Sequence, residues 1–113
     1  MKVCELDTPA LLVDREIMMD NIRAMQNRAN RKGVALRPHT KTHKTPAIAL
    51  IQRDCGCKGI AVAKLGEAEV MADAGFDDIF IANEIVGDIK MKRLRKLAQS
   101  IKHSWGIDCP DHV

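Results

Sequence analysis

The sequence contains no tyrosine, two phenylalanines and one tryptophan in 113 residues. A single-stranded nucleic-acid binder stacks bases on aromatic side chains, so that class has no support here. An excess of one charge is also missing. The 18 basic and 15 acidic residues leave a net charge of +3, and the two signs interleave, which does not make the concentrated basic surface that a polyanion needs. No apolar run approaches the roughly 20 residues of a membrane span. The start Met1-Lys2-Val3-Cys4-Glu5 lacks the apolar stretch of a signal peptide. The expectation is a cytoplasmic protein with no nucleic-acid partner and no membrane partner. Cys4, Cys55, Cys57 and Cys109 are even in number, but a reducing compartment argues against a disulfide framework. Cys55-Gly56-Cys57 has a single intervening residue, where redox and zinc motifs have two, so plain thiols are expected. There is no Gly/Ser-rich linker and no internal repeat.

What is present is ordinary for a globular chain: 46% apolar and 29% charged residues, at a length sufficient for one core. Asp7-Thr8-Pro9 is turn chemistry, and Ala10-Leu11-Leu12-Val13 is a short apolar run of strand type. Asp14 is placed to cap a helix whose apolar face carries Met18, Ile22, Met25 and Ala29, with Gly33 as its stop. Residues 34–36 then read as a strand, Thr45-Pro46 as an N-cap and first-turn pair, and 47–53 as a helix ending before Gly56. Residues 59–63 form the next strand. A helix follows, with Glu67 and Glu69 in its first turn and Val70, Met71 and Ala74 on its apolar side. Residues 79–82 are a third strand. Asp88 is placed to cap a helix bearing Met91, Leu94, Leu97, Ala98 and Ile101, before a weaker strand near 103–107.

Strands that are continuous apolar runs, alternating with helices, point to an α/β fold with a parallel sheet. Four βα units make about half of a (β/α)8 TIM barrel, for which about 250 residues is typical. A half-barrel leaves strand edges unpaired and bares an inner surface, here expected to include Leu36, Val62 and Ile81. A homo-oligomer would hide both.

The densest chemistry is Arg37-Pro38-His39-Thr40-Lys41-Thr42-His43-Lys44-Thr45, directly after a predicted strand, where a barrel's carboxyl-terminal face holds its active site. A lysine that forms a Schiff base reacts as the neutral amine, and cationic neighbours favour that form. Arg37, Lys44 and two histidines are such neighbours for Lys41. The same field would attract a phosphorylated cofactor. On charge alone the segment also reads as a solvated basic loop. His39 and His43 have the spacing of a helical zinc pair, but no glutamate follows His39, and Pro38 disfavours a continuous helix.

Arg37-Pro38-His39-Thr40-Lys41-Thr42-His43-Lys44 resembles the cofactor-lysine segment of the D-threonine aldolase and D-serine dehydratase group, metal-activated pyridoxal enzymes related to alanine racemase. Thr8-Pro9-Ala10-Leu11-Leu12-Val13-Asp14 resembles that group's opening segment. Ala63-Lys64-Leu65-Gly66-Glu67-Ala68-Glu69-Val70, then Ala74-Gly75, Asp78-Ile79 and Ala82-Asn83-Glu84, resemble its second and third barrel units. The resemblance implies a partial alanine racemase-like N-terminal barrel domain over 1–113, with a lead-in strand in 1–14 and βα units in 15–113. It implies a pyridoxal 5'-phosphate lyase, an aldolase or a dehydratase, acting on small β-hydroxy D-amino acids. Lys41 would form the Schiff base, with His39, Lys64 and Asn83 facing the cofactor. Lys64 also reads as a surface lysine, Asn83 as turn chemistry, and Glu67 and Glu69 as ordinary helix-start carboxylates. In that family the remaining barrel strands hold the phosphate, and a carboxyl-terminal β-domain carries the ligands of a divalent metal, zinc or manganese. Neither is present in this sequence, so the chain alone is expected to be inactive, and the metal ligands to lie outside it. A non-catalytic pyridoxal-phosphate-binding protein and an interaction module are the alternatives.

Overall fold

The computed structural model describes residues 2–108. The Cys109 thiol and the closing Pro110-Asp111-His112-Val113 lie outside the described residues. A 3-10 turn at Val3–Glu5 leads into chain with no strand partner among the described residues, in which Leu11, Leu12 and Val13, expected as a strand, are exposed. Helix α1, Arg15–Arg31, starts where the sequence predicts: the Asp14 carboxylate accepts a hydrogen bond from Ile17 N at 3.0 Å. Gly33, with φ of +66°, turns the chain away after it. Its buried residues are Gln26 and Ala29, whereas Met25, expected on the apolar face, is exposed.

The next segment departs from expectation. Residues 34–36 are not a strand, and Val34 is exposed. The chain meets the sheet slightly later: Leu36 O accepts from Lys58 N, Pro38 O accepts from Ala61 N, and His39 forms a single parallel bridge with Ala61. Pro38 has no N–H to give, so a regular ladder cannot run through it.

Helix α2, Pro46–Asp54, then leads to β1, Ile60–Val62. Helix α3, Leu65–Asp73, leads to β2, Asp78–Ile81, and α4, Asp88–Leu97, leads to β3, Lys102–Trp105. The three strands are parallel in the order β1-β2-β3. The repeated strand-helix-strand pattern is the partial barrel that the sequence predicts. Gly87, with φ of +93°, caps α4, and Asp88 sits one position inside as the first-turn acid. A left-handed N-cap favours glycine over the expected aspartate.

Side chains alternate across each strand, so register fixes which face each residue takes. Ile60, Val62, Ile79 and Ile81 turn toward the helices and form one core with Ala49, Leu65, Ala68, Met71, Leu94 and Leu97. Ala61 and Phe80, paired in register, take the opposite face, and the bridge puts His39 beside Ala61. The inner surface is therefore not built from Val62 and Ile81, as expected, because both are fully buried beneath helices. Moreover, β3 is not apolar: Lys102 and Ser104 are exposed.

Candidate functional site

The carboxyl-terminal edge of the sheet gathers the residues singled out by sequence. Thr40–Thr42 is a 3-10 turn capped by His39, whose Nδ1 accepts a hydrogen bond from Lys41 N at 3.2 Å. Thr40, 1% exposed, sends its hydroxyl to Ala61 O at 3.2 Å, which pins this turn onto β1. Lys44 N closes the turn on Thr40 O at 2.7 Å, and Lys44 itself takes a positive φ of 48°. The outcome is a hydrogen-bonded turn from which the exposed Lys41 side chain projects.

Lys64 lies two residues past β1 as the extended N-cap of α3, and Asn83 lies two residues past β2. Since Val62 pairs with Ile81, Lys64 and Asn83 occupy corresponding places on successive loops. Both are exposed. Asn83 Oδ1 accepts from Glu84 N at 3.1 Å, so that end of its amide serves the local turn.

The cationic surround expected for Lys41 is arranged differently. Arg37 stands near the amino-terminal end of the strands and forms a two-pronged pair with Asp78, Nε to Oδ1 at 3.0 Å and Nη2 to Oδ2 at 2.9 Å. A strand rises about 3.3 Å per residue, which carries Arg37 away from the edge where Lys41 sits. Lys44 is engaged by Glu67, Nζ to Oε1 at 3.3 Å. Among the described residues, neither Lys41 nor Lys64 has an ion-pair partner.

Glu67 is the residue that sequence reasoning undervalued. Its side chain is 9% exposed, and its second oxygen accepts from Ala63 N at 2.8 Å. Burial works against its charge, but the Ala63 N–H and the Lys44 ammonium outweigh burial and hold the carboxyl below its ordinary range. The available signal was a glutamate at the third position of a predicted helix, where side chains reach back to free backbone N–H groups. Glu69, in contrast, pairs with Arg93 of α4, which ties two helices together. The buried Thr40 hydroxyl had no signal in the sequence.

His43 supports the turn from beneath. Its Nδ1 accepts from Thr45 N at 3.0 Å, and burial pushes its pKa below the ordinary value, against smaller opposing effects from Gln52 and the Thr45 amide. His43 Nε2 and Gln52 Oε1 are both buried without a hydrogen bond. A cleft of about 410 Å3 lies between α1 and residues 36–39, lined by Ile22, Met25, Gln26, Leu36, His39 and Gln52. A larger depression of about 620 Å3 between α3 and α4 includes Gly75, Phe76 and Asp77, just before β2, and neither Lys41 nor Lys64 lines it. Among the described residues, no three His, Cys, Asp or Glu side chains gather as metal ligands. Cys4, Cys55 and Cys57 are free thiols. No helix among the described residues is long and apolar enough to cross a membrane.

Comparison with known proteins agrees with this geometry. The family model described as alanine racemase, N-terminal domain, matches residues 13–113. A D-threonine aldolase from Arthrobacter sp. is 45% identical over 106 residues, covering 94% of this chain and 28% of the aldolase. A D-threo-3-hydroxyaspartate dehydratase from Delftia sp. is 48% identical over 77 residues, covering 68% of this chain and 20% of the dehydratase. The crystal structure of D-threonine aldolase from Filomicrobium marinum superposes with a TM-score of 0.92 at 41% identity, covering 95% of this chain and 29% of that one. The chain thus spans under a third of the length of these relatives. By the extent of the family match and the parallel βα units that carry it, the chain belongs to the alanine racemase N-terminal domain family.

Proposed function

We propose that this chain supplies the lysine-bearing part of a pyridoxal 5'-phosphate lyase acting on small β-hydroxy D-amino acids, of the D-threonine aldolase or D-serine dehydratase type. The observation that carries the reading is Lys41: an exposed amine with no ion-pair partner among the described residues, on a turn pinned to β1, at the edge where barrel enzymes keep their chemistry. The donor set fits the aldehyde of pyridoxal phosphate, since an amine held on a fixed base is what covalent attachment requires. Lys41 would hold the group, with His39, Lys64 and Asn83 around it. Bound there, pyridoxal phosphate supplies an electron sink for the substrate's Cα, whether the Cα–Cβ bond breaks or water is eliminated.

The chain's own part is placement. The His39 imidazole and the Thr40 hydroxyl fix the backbone at Lys41, and Lys64 adds positive charge on the neighbouring loop, which favours an anionic ligand. We assign residues 15–113 to the barrel and 1–14 to its lead-in. The chain spans under a third of its relatives' length, and divalent-metal ligands and most substrate contacts are assigned in this reading to regions other than these 113 residues.

Borohydride reduction in the presence of pyridoxal phosphate, followed by peptide mapping, tests the assignment. The label is expected on Lys41 and is expected to disappear in Lys41→Ala. A label confined to Lys44 or Lys64 would overturn it. The 113-residue chain is expected to show no turnover of D-threonine or D-serine with cofactor and zinc or manganese added. Robust turnover by a chain of verified mass would refute that expectation.

A further inference from the structure

Two lysines, Lys41 and Lys44, flank one turn, yet the structure treats them differently. Lys44 adopts a left-handed backbone that is uncommon for a residue with a side chain, and its amine meets a carboxylate from the next βα unit at 3.3 Å. That carboxylate, Glu67, is itself fixed, because its other oxygen is bonded to Ala63 N at 2.8 Å and its side chain is nearly buried. Lys41, three residues earlier on the same turn, has no such partner among the described residues.

The geometry points to Glu67 as a positioning residue that decides which lysine of the first loop is available: it binds the Lys44 amine and leaves the Lys41 amine free to meet a carbonyl compound. This deepens the cofactor reading given above and rests on it for the identity of that carbonyl compound. A plain helix-start carboxylate would satisfy its own helix and leave the neighbouring loop alone. Glu67 instead spans two loops. It joins the end of β1 to the lysine turn, so that loss of its charge should alter chemistry at a residue on a different βα unit.

Glu67→Gln tests the idea, because its amide oxygen can still accept from Ala63 N while the negative charge that pairs with Lys44 is lost. Glu67→Asp is the second variant, since a shorter carboxylate cannot reach both partners, and circular dichroism checks that each variant is folded. Two aldehyde probes are used with borohydride, pyridoxal 5'-phosphate and formaldehyde. In each case the amine nitrogen bonds to the aldehyde carbon, water leaves, and borohydride delivers hydride to the new C=N bond. Peptide mapping then gives the share of label on each lysine.

In both variants the Lys44 share relative to Lys41 should rise about two- to fivefold with formaldehyde, the range that ion pairs of this exposure supply. A purely structural role would instead lower or scatter labelling without favouring Lys44. An unchanged Lys44 share in a folded variant overturns the inference. If formaldehyde shows the rise while pyridoxal phosphate labels neither lysine in the parent chain, the selector role stands and the cofactor reading falls.

Discussion

Arg37 and Asp78 form a two-pronged ion pair, with Nη2 and Oδ2 2.9 Å apart, and Asp78 packs against Gly59. Gly59 stands one residue before β1, where a side chain would have to occupy space that Asp78 already fills. A Cβ at residue 59 would lie 2.9 Å from Asp78 Cγ and closer still to the Asp78 carbonyl oxygen. Gly59→Ala should therefore push β1 and β2 apart and destabilise the chain by about 1–3 kcal/mol, the usual range for overpacking. Urea midpoints at a fixed slope measure it.

The same pair makes stability sensitive to acid. Hydrogen bonds from Arg37 hold the Asp78 carboxyl below its ordinary value of 3.8, outweighing the burial that opposes them. The stabilisation is therefore present above that value in the unfolded chain, and is lost as pH falls below it through the folded value. Asp78→Asn should flatten the pH dependence of the urea midpoint below about pH 4. An identical slope in the variant would assign the acid sensitivity to other carboxylates.

His43 acts in a different range. Burial lowers its pKa from 6.5, so the folded chain favours the neutral ring. Stability should be complete above that value and decline as pH falls from there through the folded pKa, where the unfolded chain gains a proton first. Asn in place of His43 offers an oxygen to Thr45 N and cannot titrate. His43→Asn should remove the slope between about pH 7 and 5, measured by thermal or urea unfolding in matched buffers.

Exposed apolar groups predict assembly. Leu11 is fully exposed, Leu12 and Ile17 are more than half exposed, and the outer edge of β3 has no partner among the described residues. Such surfaces are costly in water. A soluble preparation should be dimeric or larger, with a melting temperature that rises with concentration. Light scattering over a dilution series checks this, and a monomer with a concentration-independent melting temperature would contradict it.

Local chemistry was legible and distant chemistry was not. Asp14 and Gly33 bracket α1 because capping and helix exit depend on neighbouring residues, and the apolar runs near 60 and 80 were strands because nothing local opposes them. The strand expected at 34–36 is irregular chain that meets β1 only at the His39 bridge, just past Pro38, and the cap expected at Asp88 moved to Gly87 because the turn there needs a left-handed residue. Lys64 and Asn83 lie two residues past β1 and β2, Lys41 lies two residues past the His39–Ala61 bridge, and His39 itself pairs with the middle of β1. The Arg37–Asp78 and Lys44–Glu67 pairs join different βα units, and nothing in the spacing of those residues announces which acid each base will find.

The Thr40 hydroxyl bond to Ala61 has a mechanical meaning for any molecule that would attach at residue 41. The main chain on its N-terminal side is tied to a strand by that bond, so the flexible four-carbon stem of the lysine swings from an anchored base. The reach of the amine from that point is a small dome, and a ligand that attaches there meets it inside that volume.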